Sequence, residues 1–236
     1  MSRRSWRWAV AMPILVSCGQ DPGPIETRPH PETGWEAAYE SHVRESLADY
    51  PELLKIDADR TSDICSNFAS LGADKRRDFF VAVVYALAGA ETDFRRTVSY
   101  SEPSLGTDPV TGRGVRSEGL LQLSYQDRAS FSKLDDRADR ACAFDFEADR
   151  SLFQSDLVRN ATKVARGSFL GSSERSILNA YRNLSCGVFI VNLQVTRLNK
   201  SRSFLEALGR YWAVARPQSA RHEIFLKHLR EKSPCE

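Results

Sequence analysis

The apolar positions of this chain recur mainly at helical spacing. Trp35, Tyr39, Val43 and Leu47 follow one another at intervals of four, which predicts an amphipathic helix. Similar spacing predicts further helices around Ile64, Phe68 and Leu71; Leu152, Phe153, Leu157 and Val164; Leu184 to Leu198; Phe204, Leu208, Tyr211 and Trp212; and Ile224, Phe225 and Leu229. No segment alternates strongly between apolar and polar residues, so we predict a mainly α fold.

One of these helices is apolar on all sides and ends at a carboxylate. The run from Phe79 to Ala90 contains no charged side chain, and Glu91 follows it directly. A run of this kind is typical of a buried helix, so Glu91 is expected where the interior meets an opening. Partial burial disfavours the charged form of a carboxyl and raises its pKa. We therefore predict that Glu91 is a proton donor suited to glycosidic bond cleavage.

The helical pattern is interrupted between residues 97 and 115. The turn-forming residues in this stretch are Pro103, Gly106, Pro109, Gly112 and Gly114. Such residues favour turns, so we expect at most a small β-hairpin or an ordered loop here, near the active-site cleft. Long loops in compact domains are often functional.

The N-terminus has the pattern of an export signal. A basic start precedes a short apolar stretch, Trp8 to Val16, which is too short to span a bilayer as a mature helix. The segment Leu15-Val16-Ser17-Cys18 resembles the lipoprotein box of bacteria. The resemblance implies that residues 1–17 are a signal peptide and that Cys18 is lipidated. The alternative is an ordinary secretory signal with a chance cysteine.

The residues after Cys18 are expected to form a tether. Residues 18–34 are rich in proline and poor in large apolar side chains, which favours an extended linker, and the folded domain is expected to cover residues 35–236. Gly19 follows Cys18, whereas in the sorting rules of enteric bacteria, which this N-terminus resembles, an aspartate there favours inner-membrane retention. The resemblance implies an exported protein, lipid-anchored in the outer membrane and facing the periplasm. We also expect a monomer.

Four cysteines remain in the predicted domain. They are Cys65, Cys142, Cys186 and Cys235, an even number that suggests two disulfides in an exported chain. Sequence alone leaves three connectivities open. We favour Cys142 with Cys186 and Cys65 with Cys235, the alternative being buried free thiols. No CxxC or close Cys/His spacing is present, so neither a metal nor a cofactor is expected.

Net charge argues against a polyanionic partner. The chain carries a formal charge of +2, and removal of the three arginines of residues 1–17 leaves −1. Proteins that bind nucleic acid usually carry a strong basic excess, so nucleic acid is excluded from the expected partners.

Four segments in order resemble the soluble lytic transglycosylase domain of the lysozyme-like superfamily. They are Glu91-Thr92-Asp93-Phe94; Ser117-Glu118-Gly119-Leu120-Leu121-Gln122; Asn183-Leu184-Ser185-Cys186-Gly187; and, as a partial match, Leu208-Gly209-Arg210-Tyr211-Trp212. The resemblance covers about Phe79 to Val214. Arg210 and Trp212 depart from the usual alanine and asparagine, so the fourth match depends on Tyr211 alone.

The resemblance implies an α+β lysozyme-like fold and a peptidoglycan lytic transglycosylase that binds glycan strands. In that family one glutamate, here Glu91, serves as acid and then as base. The 6-hydroxyl of N-acetylmuramic acid attacks its own anomeric carbon, which breaks the β-1,4 bond to N-acetylglucosamine and gives a 1,6-anhydro product. Substrate-binding roles fall to Ser117, Gly119, Gln122 and Tyr211, with Tyr125 and Tyr100 as aromatic residues for stacking on sugar rings.

Individual site residues also have structural interpretations. Glu91 can be interpreted as a solvated helix end, Ser117 and Gln122 as turn or cap residues, and Tyr211 as part of the core. Asn183 and Gly187 are expected to be structural.

Two other functions remain open. One is a muramidase that uses water, with Asp93, Glu102 or Asp108 as base. The other is a non-catalytic lipoprotein that binds glycan strands.

Overall fold

The structure, a computed structural model, describes residues 34–159 and 174–235. The predicted signal peptide, the lipidation site Cys18 and the predicted tether up to residue 33 lie outside these residues, as does Val164. No helix in the described part of the chain is long and apolar enough to cross a membrane.

The mainly α fold class is confirmed. In chain order the helices are α1 (Ala37–Ser46), α2 (Ala73–Thr92), α3 (Tyr125–Phe131), α4 (Arg137–Ala141), α5 (Phe146–Arg159), α6 (Ala180–Asn192), α7 (Phe204–Gly209) and α8 (His222–Lys232). A π-helical segment, Leu193–Leu198, continues α6. Two short strands, β1 (Ser99–Ser101) and β2 (Arg116–Glu118), pair antiparallel, with Tyr100 opposite Ser117.

Helix α2 lies in the core, as its apolar sequence predicts. Phe79, Phe80 and nearly every residue from there to Ala90 are buried. Helix α8 packs closely against α2 at Gly89, where an added Cβ would lie 2.5 Å from Cδ2 of His228. Because the second half of α2 is packed in the core, the helix holds Glu91, in its last turn, in a fixed position at the edge of the core.

The hairpin is closed by a turn that one buried carboxylate holds. Oδ1 of Asp108 accepts hydrogen bonds from the backbone N–H groups of Val110 (2.9 Å) and Thr111 (2.7 Å). Asp108 is 3% exposed, and the backbone of the same turn bonds back to it from Gly112. The turn thus helps to fix the register in which β1 and β2 pair.

Two disulfides cross-link the domain. Cys65 is bonded to Cys235, and Cys142, which follows α4, is bonded to Cys186 in α6. This is the pairing that we favoured from the sequence. The first bridge ties the residues after α8 to the segment that precedes α2.

Some predicted helices have other bounds. The stripe around Phe68 forms only a 3₁₀ turn, Phe68–Ser70, in a region of successive 3₁₀ turns between α1 and α2. Helix α6 begins at Ala180, ahead of the predicted start, because the side chain of Asn179 accepts a hydrogen bond from the N–H of Arg182 and caps it. Helix α7 ends at Gly209, so Trp212 lies beyond it.

Candidate active site

A groove of about 720 Å³ opens beside the hairpin. Its walls come from the end of α2, from the hairpin, from α3 and from the segment after α7. The lining residues are Glu91, Tyr100, Glu102, Ser104, Leu105, Ser117, Gln122, Ser124, Gln126, Asp127, Ser130, Phe131, Arg210, Tyr211, Trp212, Ala213 and Arg216. The groove therefore brings together six of the residues named from the sequence: Glu91, Tyr100, Glu102, Ser117, Gln122 and Tyr211.

Glu91 lies in the last turn of α2 and is partly buried in the groove wall. The pKa of its carboxyl is raised to about 7, chiefly by burial; the charge of Arg221 acts to lower it, and the smaller effect of the Glu102 charge acts to raise it. No hydrogen bond joins this carboxyl to any side chain in the described ranges. A carboxyl that remains protonated near neutral pH, and whose proton is not engaged elsewhere, can act as a general acid.

The backbone turns sharply just after Glu91. Asp93 and Phe94 both have left-handed backbone conformations, with φ of 53° and 59°. Asp93 is exposed and forms an ion pair of 2.7 Å with Arg221, so its carboxylate is committed there. The ring of Phe94 stacks on Tyr85 at a centroid distance of 4.8 Å. These contacts hold a backbone that is unfavourable for a bulky side chain such as phenylalanine.

The raised pKa of Glu91 predicts a stability difference that depends on pH. Below about 4.5, the ordinary value, the carboxyl is neutral in both the folded and the unfolded protein. Between about 4.5 and about 7 the folded state binds the proton more tightly, so wild-type stability falls as pH rises. We expect Glu91→Gln, which cannot ionise, to be more stable than wild type at pH 8 by about 3 kcal/mol, and equally stable at pH 4. Urea unfolding at the two pH values measures this, and an equal offset at both would contradict it.

Ser117 and Gln122 make contacts other than with Glu91. The hydroxyl of Ser117 donates to Oε1 of Glu102 at 3.4 Å. The side-chain amide of Gln122 donates to the carbonyl oxygens of Val98 (3.2 Å) and Gly119 (2.9 Å). Its Oε1 is buried and accepts no hydrogen bond from the described residues. A buried acceptor without a partner is unfavourable.

Gly119 does not line the groove, so the expectation that it lets the backbone approach a sugar is wrong. Its φ is +76°, and an added Cβ would lie 2.4 Å from Nδ2 of Asn183. That Nδ2 donates to the carbonyls of Glu118 (3.1 Å) and Ile177 (3.0 Å), while Oδ1 accepts from the N–H of Leu121 (2.9 Å). Glycine is needed here for close packing against the buried asparagine.

The remaining residues of the motifs contact the segment Gly119-Leu120-Leu121-Gln122 from other sides. At Gly187, one turn after Asn183 on α6, a Cβ would lie 2.0 Å from Cδ1 of Leu121. The indole of Trp212 donates to the carbonyl of Leu121 at 2.9 Å, and the hydroxyl of Thr92 donates to that of Leu120 at 3.3 Å. The motifs are therefore one packed unit that fixes Gln122 and Glu91 relative to each other.

Tyr125 is not available to a substrate, which corrects the prediction that it stacks on sugar rings. It is fully buried, and its hydroxyl donates to Oδ2 of Asp149 at 2.7 Å. Tyr125 is the first residue of α3, and its ring faces the core. Tyr100, by contrast, is 46% exposed and lines the groove.

Tyr211 lines the groove, but its hydroxyl is engaged with another carboxylate. It donates to Oδ2 of Asp127 at 2.6 Å, and the same oxygen accepts from the backbone N–H (2.6 Å) and hydroxyl (3.0 Å) of Ser124. Burial and the adjacent Asp127 carboxylate raise the pKa of Tyr211 well above its ordinary value. Asp127 was not predicted as a site residue, although the Ser-x-x-Asp pattern of a capping box was present in the sequence.

Other features of the site also escaped sequence reasoning. Beneath β2, Glu118 and Arg175 form a buried bidentate ion pair with distances of 2.7 and 2.5 Å. Arg210 and Arg216 line the far part of the groove. No signal in the sequence set these arginines apart, except that Arg210 departs from the resembled motif.

No protein-family model matches this chain, and no curated protein matches it. Its fold is similar to solved structures of Bd0314 DslA from Bdellovibrio. The wild-type form of DslA aligns with a TM-score of 0.56 and 21% identity, over 84% of this chain and 91% of that chain. Two variants of DslA, each with a glutamate replaced by glutamine, align with a TM-score of 0.55 at the same identity and coverage. At this identity the likeness is one of fold.

Proposed function

We propose that this protein is a peptidoglycan lytic transglycosylase that uses Glu91 as its acid and base. The observation that carries the proposal is a partly buried carboxyl, with a pKa of about 7, in the wall of an open groove of about 720 Å³. Neutral acids of this kind are required to protonate a glycosidic oxygen near neutral pH.

In the proposed reaction Glu91 first gives its proton to the oxygen of the β-1,4 bond between N-acetylmuramic acid and N-acetylglucosamine. The carbon–oxygen bond breaks and the N-acetylglucosamine side leaves as an alcohol. The carboxylate of Glu91 then takes the proton of the 6-hydroxyl, whose oxygen bonds to the anomeric carbon. A 1,6-anhydro ring forms, no water is consumed, and Glu91 is neutral again.

The groove suits an amino-sugar polymer. Its lining is mixed, with polar side chains such as Ser104, Gln126 and Ser130 beside the apolar surfaces of Tyr100 and Phe131. Sugar recognition uses hydrogen bonds at ring edges and apolar contact at ring faces.

A second candidate is hydrolysis, with Glu102 as the base that activates water or as nucleophile. Glu102 lines the same groove and its charge raises the pKa of Glu91, as expected for two carboxylates that share a site. The other two candidate bases are engaged: Asp93 pairs with Arg221, and Asp108 holds its turn. The two glutamates replaced in the DslA variants stand eleven positions apart, as do Glu91 and Glu102.

Product mass after digestion of purified sacculi distinguishes the two reactions. We expect wild-type protein to release anhydro-muropeptides, lighter by one water than hydrolytic products. Glu102→Gln should still release them, with its activity shifted to slightly lower pH because the charge that raises the pKa of Glu91 is gone. The exposed Glu223→Gln is the matched control.

Hydrolytic products that disappear in Glu102→Gln would favour the second candidate. Glycan binding without any product would favour the non-catalytic alternative.

The proposed setting is the bacterial envelope. We propose export, lipidation at Cys18, anchoring in the outer membrane and action on peptidoglycan from the periplasmic side, as a monomer. Two disulfides in the domain support an oxidising compartment.

A further inference from the structure

A second cleft, of about 630 Å³, adjoins the groove. Arg210 and Arg216 line both the cleft and the groove, so the two spaces meet at these side chains. Arg202, from the segment before α7, contributes a third guanidinium, and Glu206 is the one acidic residue of the lining within the described ranges. The groove that contains Glu91 therefore leads into a cleft with a basic excess.

The three arginines are not neutralised by neighbours. Within residues 34–159 and 174–235, no carboxylate forms an ion pair with Arg202, Arg210 or Arg216. Two arginines that lie elsewhere near the groove are paired, Arg175 with Glu118 and Arg221 with Asp93. Like charges held close together repel one another, and a bound anion relieves that repulsion.

The backbone fixes one of these guanidinium groups in place. Nε of Arg216 donates to the carbonyl oxygen of Gly209 at 2.5 Å, which leaves its two terminal nitrogens for a ligand. A Cβ at Gly209 would lie 3.0 Å from Cγ of Arg216, so glycine lets the arginine lie across the end of α7. A preorganised guanidinium fork matches the two oxygens of a carboxylate.

We infer that this arginine cleft, formed by Arg202, Arg210 and Arg216, binds the carboxylates of the peptide stem of the glycan strand. The inference rests on the proposed function, which puts N-acetylmuramic acid beside Glu91. That sugar carries the stem on its lactyl group, close to the bond that is cleaved. A stem that leaves the groove past Arg210 meets the cleft, so the protein binds stem-bearing strands better than bare ones.

Binding to the Glu91→Gln protein tests this without any need for cleavage. The ligands are glycan oligosaccharides with intact stems and the same oligosaccharides after enzymatic removal of the stems, with the lactyl carboxylate that this removal exposes converted to its amide. We expect tighter binding of the stem-bearing ligand, and Arg202→Gln combined with Arg210→Gln should weaken it by about five- to tenfold. Bare oligosaccharides should show a much smaller change. Arg230→Gln, an exposed arginine on α8, is the matched control and should leave the preference intact.

A chemical control needs no arginine variant. Stems whose carboxylates have been converted to amides should bind the Glu91→Gln protein no better than bare strands. Equal affinity for stem-bearing and bare ligands would overturn the inference, and so would a preference that survives either the arginine changes or amidation. Failure of the proposed function would be recognised separately. In that case wild-type protein would release nothing from sacculi, whether or not it prefers stem-bearing ligands.

Discussion

Glu91→Gln should abolish the release of soluble fragments from sacculi. Removal of a general acid lowers rates by about 10²- to 10⁴-fold, and here the same carboxyl is also the proposed base. Glutamine keeps the size of the side chain but cannot donate a proton as an acid. Since its amide need not ionise in a partly buried place, the fold should be retained and the variant should be stable at alkaline pH.

Release should be measured over a range of pH by the appearance of muropeptides. In wild-type protein activity should fall as pH rises through about 7, because Glu91 then loses its proton. Glu223→Gln should behave as wild type. Normal release by Glu91→Gln would rule out the proposed mechanism, even if circular dichroism showed both proteins folded.

Replacement of Cys65 and Cys235 by serine is expected to produce the largest stability effect. The bridge joins residues 170 positions apart, so its loss frees nearly the whole described domain in the unfolded state. Loops of this length give about 4–5 kcal/mol of stabilisation in the chain-entropy description. Urea unfolding of the variant and wild type, both without reductant, measures the difference.

The second bridge provides the comparison. Cys142 and Cys186 are separated by 44 positions, so chain entropy alone predicts a loss smaller by about 1 kcal/mol when both are replaced by serine. Thiol titration of the native protein should find no reactive group at the four positions. Free thiols there, or unchanged stability without the Cys65–Cys235 bridge, would contradict the expectation.

The features that could be predicted from sequence are those that local pattern determines. The charge-free run of α2 required burial on every side, and this placed Glu91 at the edge of the core. The turn formers between residues 97 and 115 gave the hairpin. Asn183 and Gly187 were expected to be structural, and in the structure they pack against Gly119 and Leu121.

The features that escaped prediction depend on side-chain direction and on tertiary contacts. The aromatic ring of Tyr125 suggested a surface on which sugar rings stack, but its hydroxyl bonds to Asp149 inside the core. Gly119, which has a positive φ, leaves room for the side chain of Asn183 and not for a ligand. The sequence left Glu102 as one of three candidate bases. Spacing along the chain could not single it out, because it is the course of the hairpin that brings Glu102 into the groove.

The two left-handed residues after Glu91 bear on how this protein would respond to laboratory evolution. Asp93 and Phe94 hold conformations that glycine adopts freely, and each disfavoured backbone of this kind carries an energetic penalty of about 1 kcal/mol or more. At Asp93, whose side chain is exposed, selection for heat resistance alone would therefore enrich glycine, whereas Phe94 would be retained because its ring packs on Tyr85. Selection that also required turnover would retain Asp93 as well, since its ion pair holds Arg221 near the acid. A difference at Asp93 between the sequences recovered from the two selections would separate thermal stability from catalytic activity.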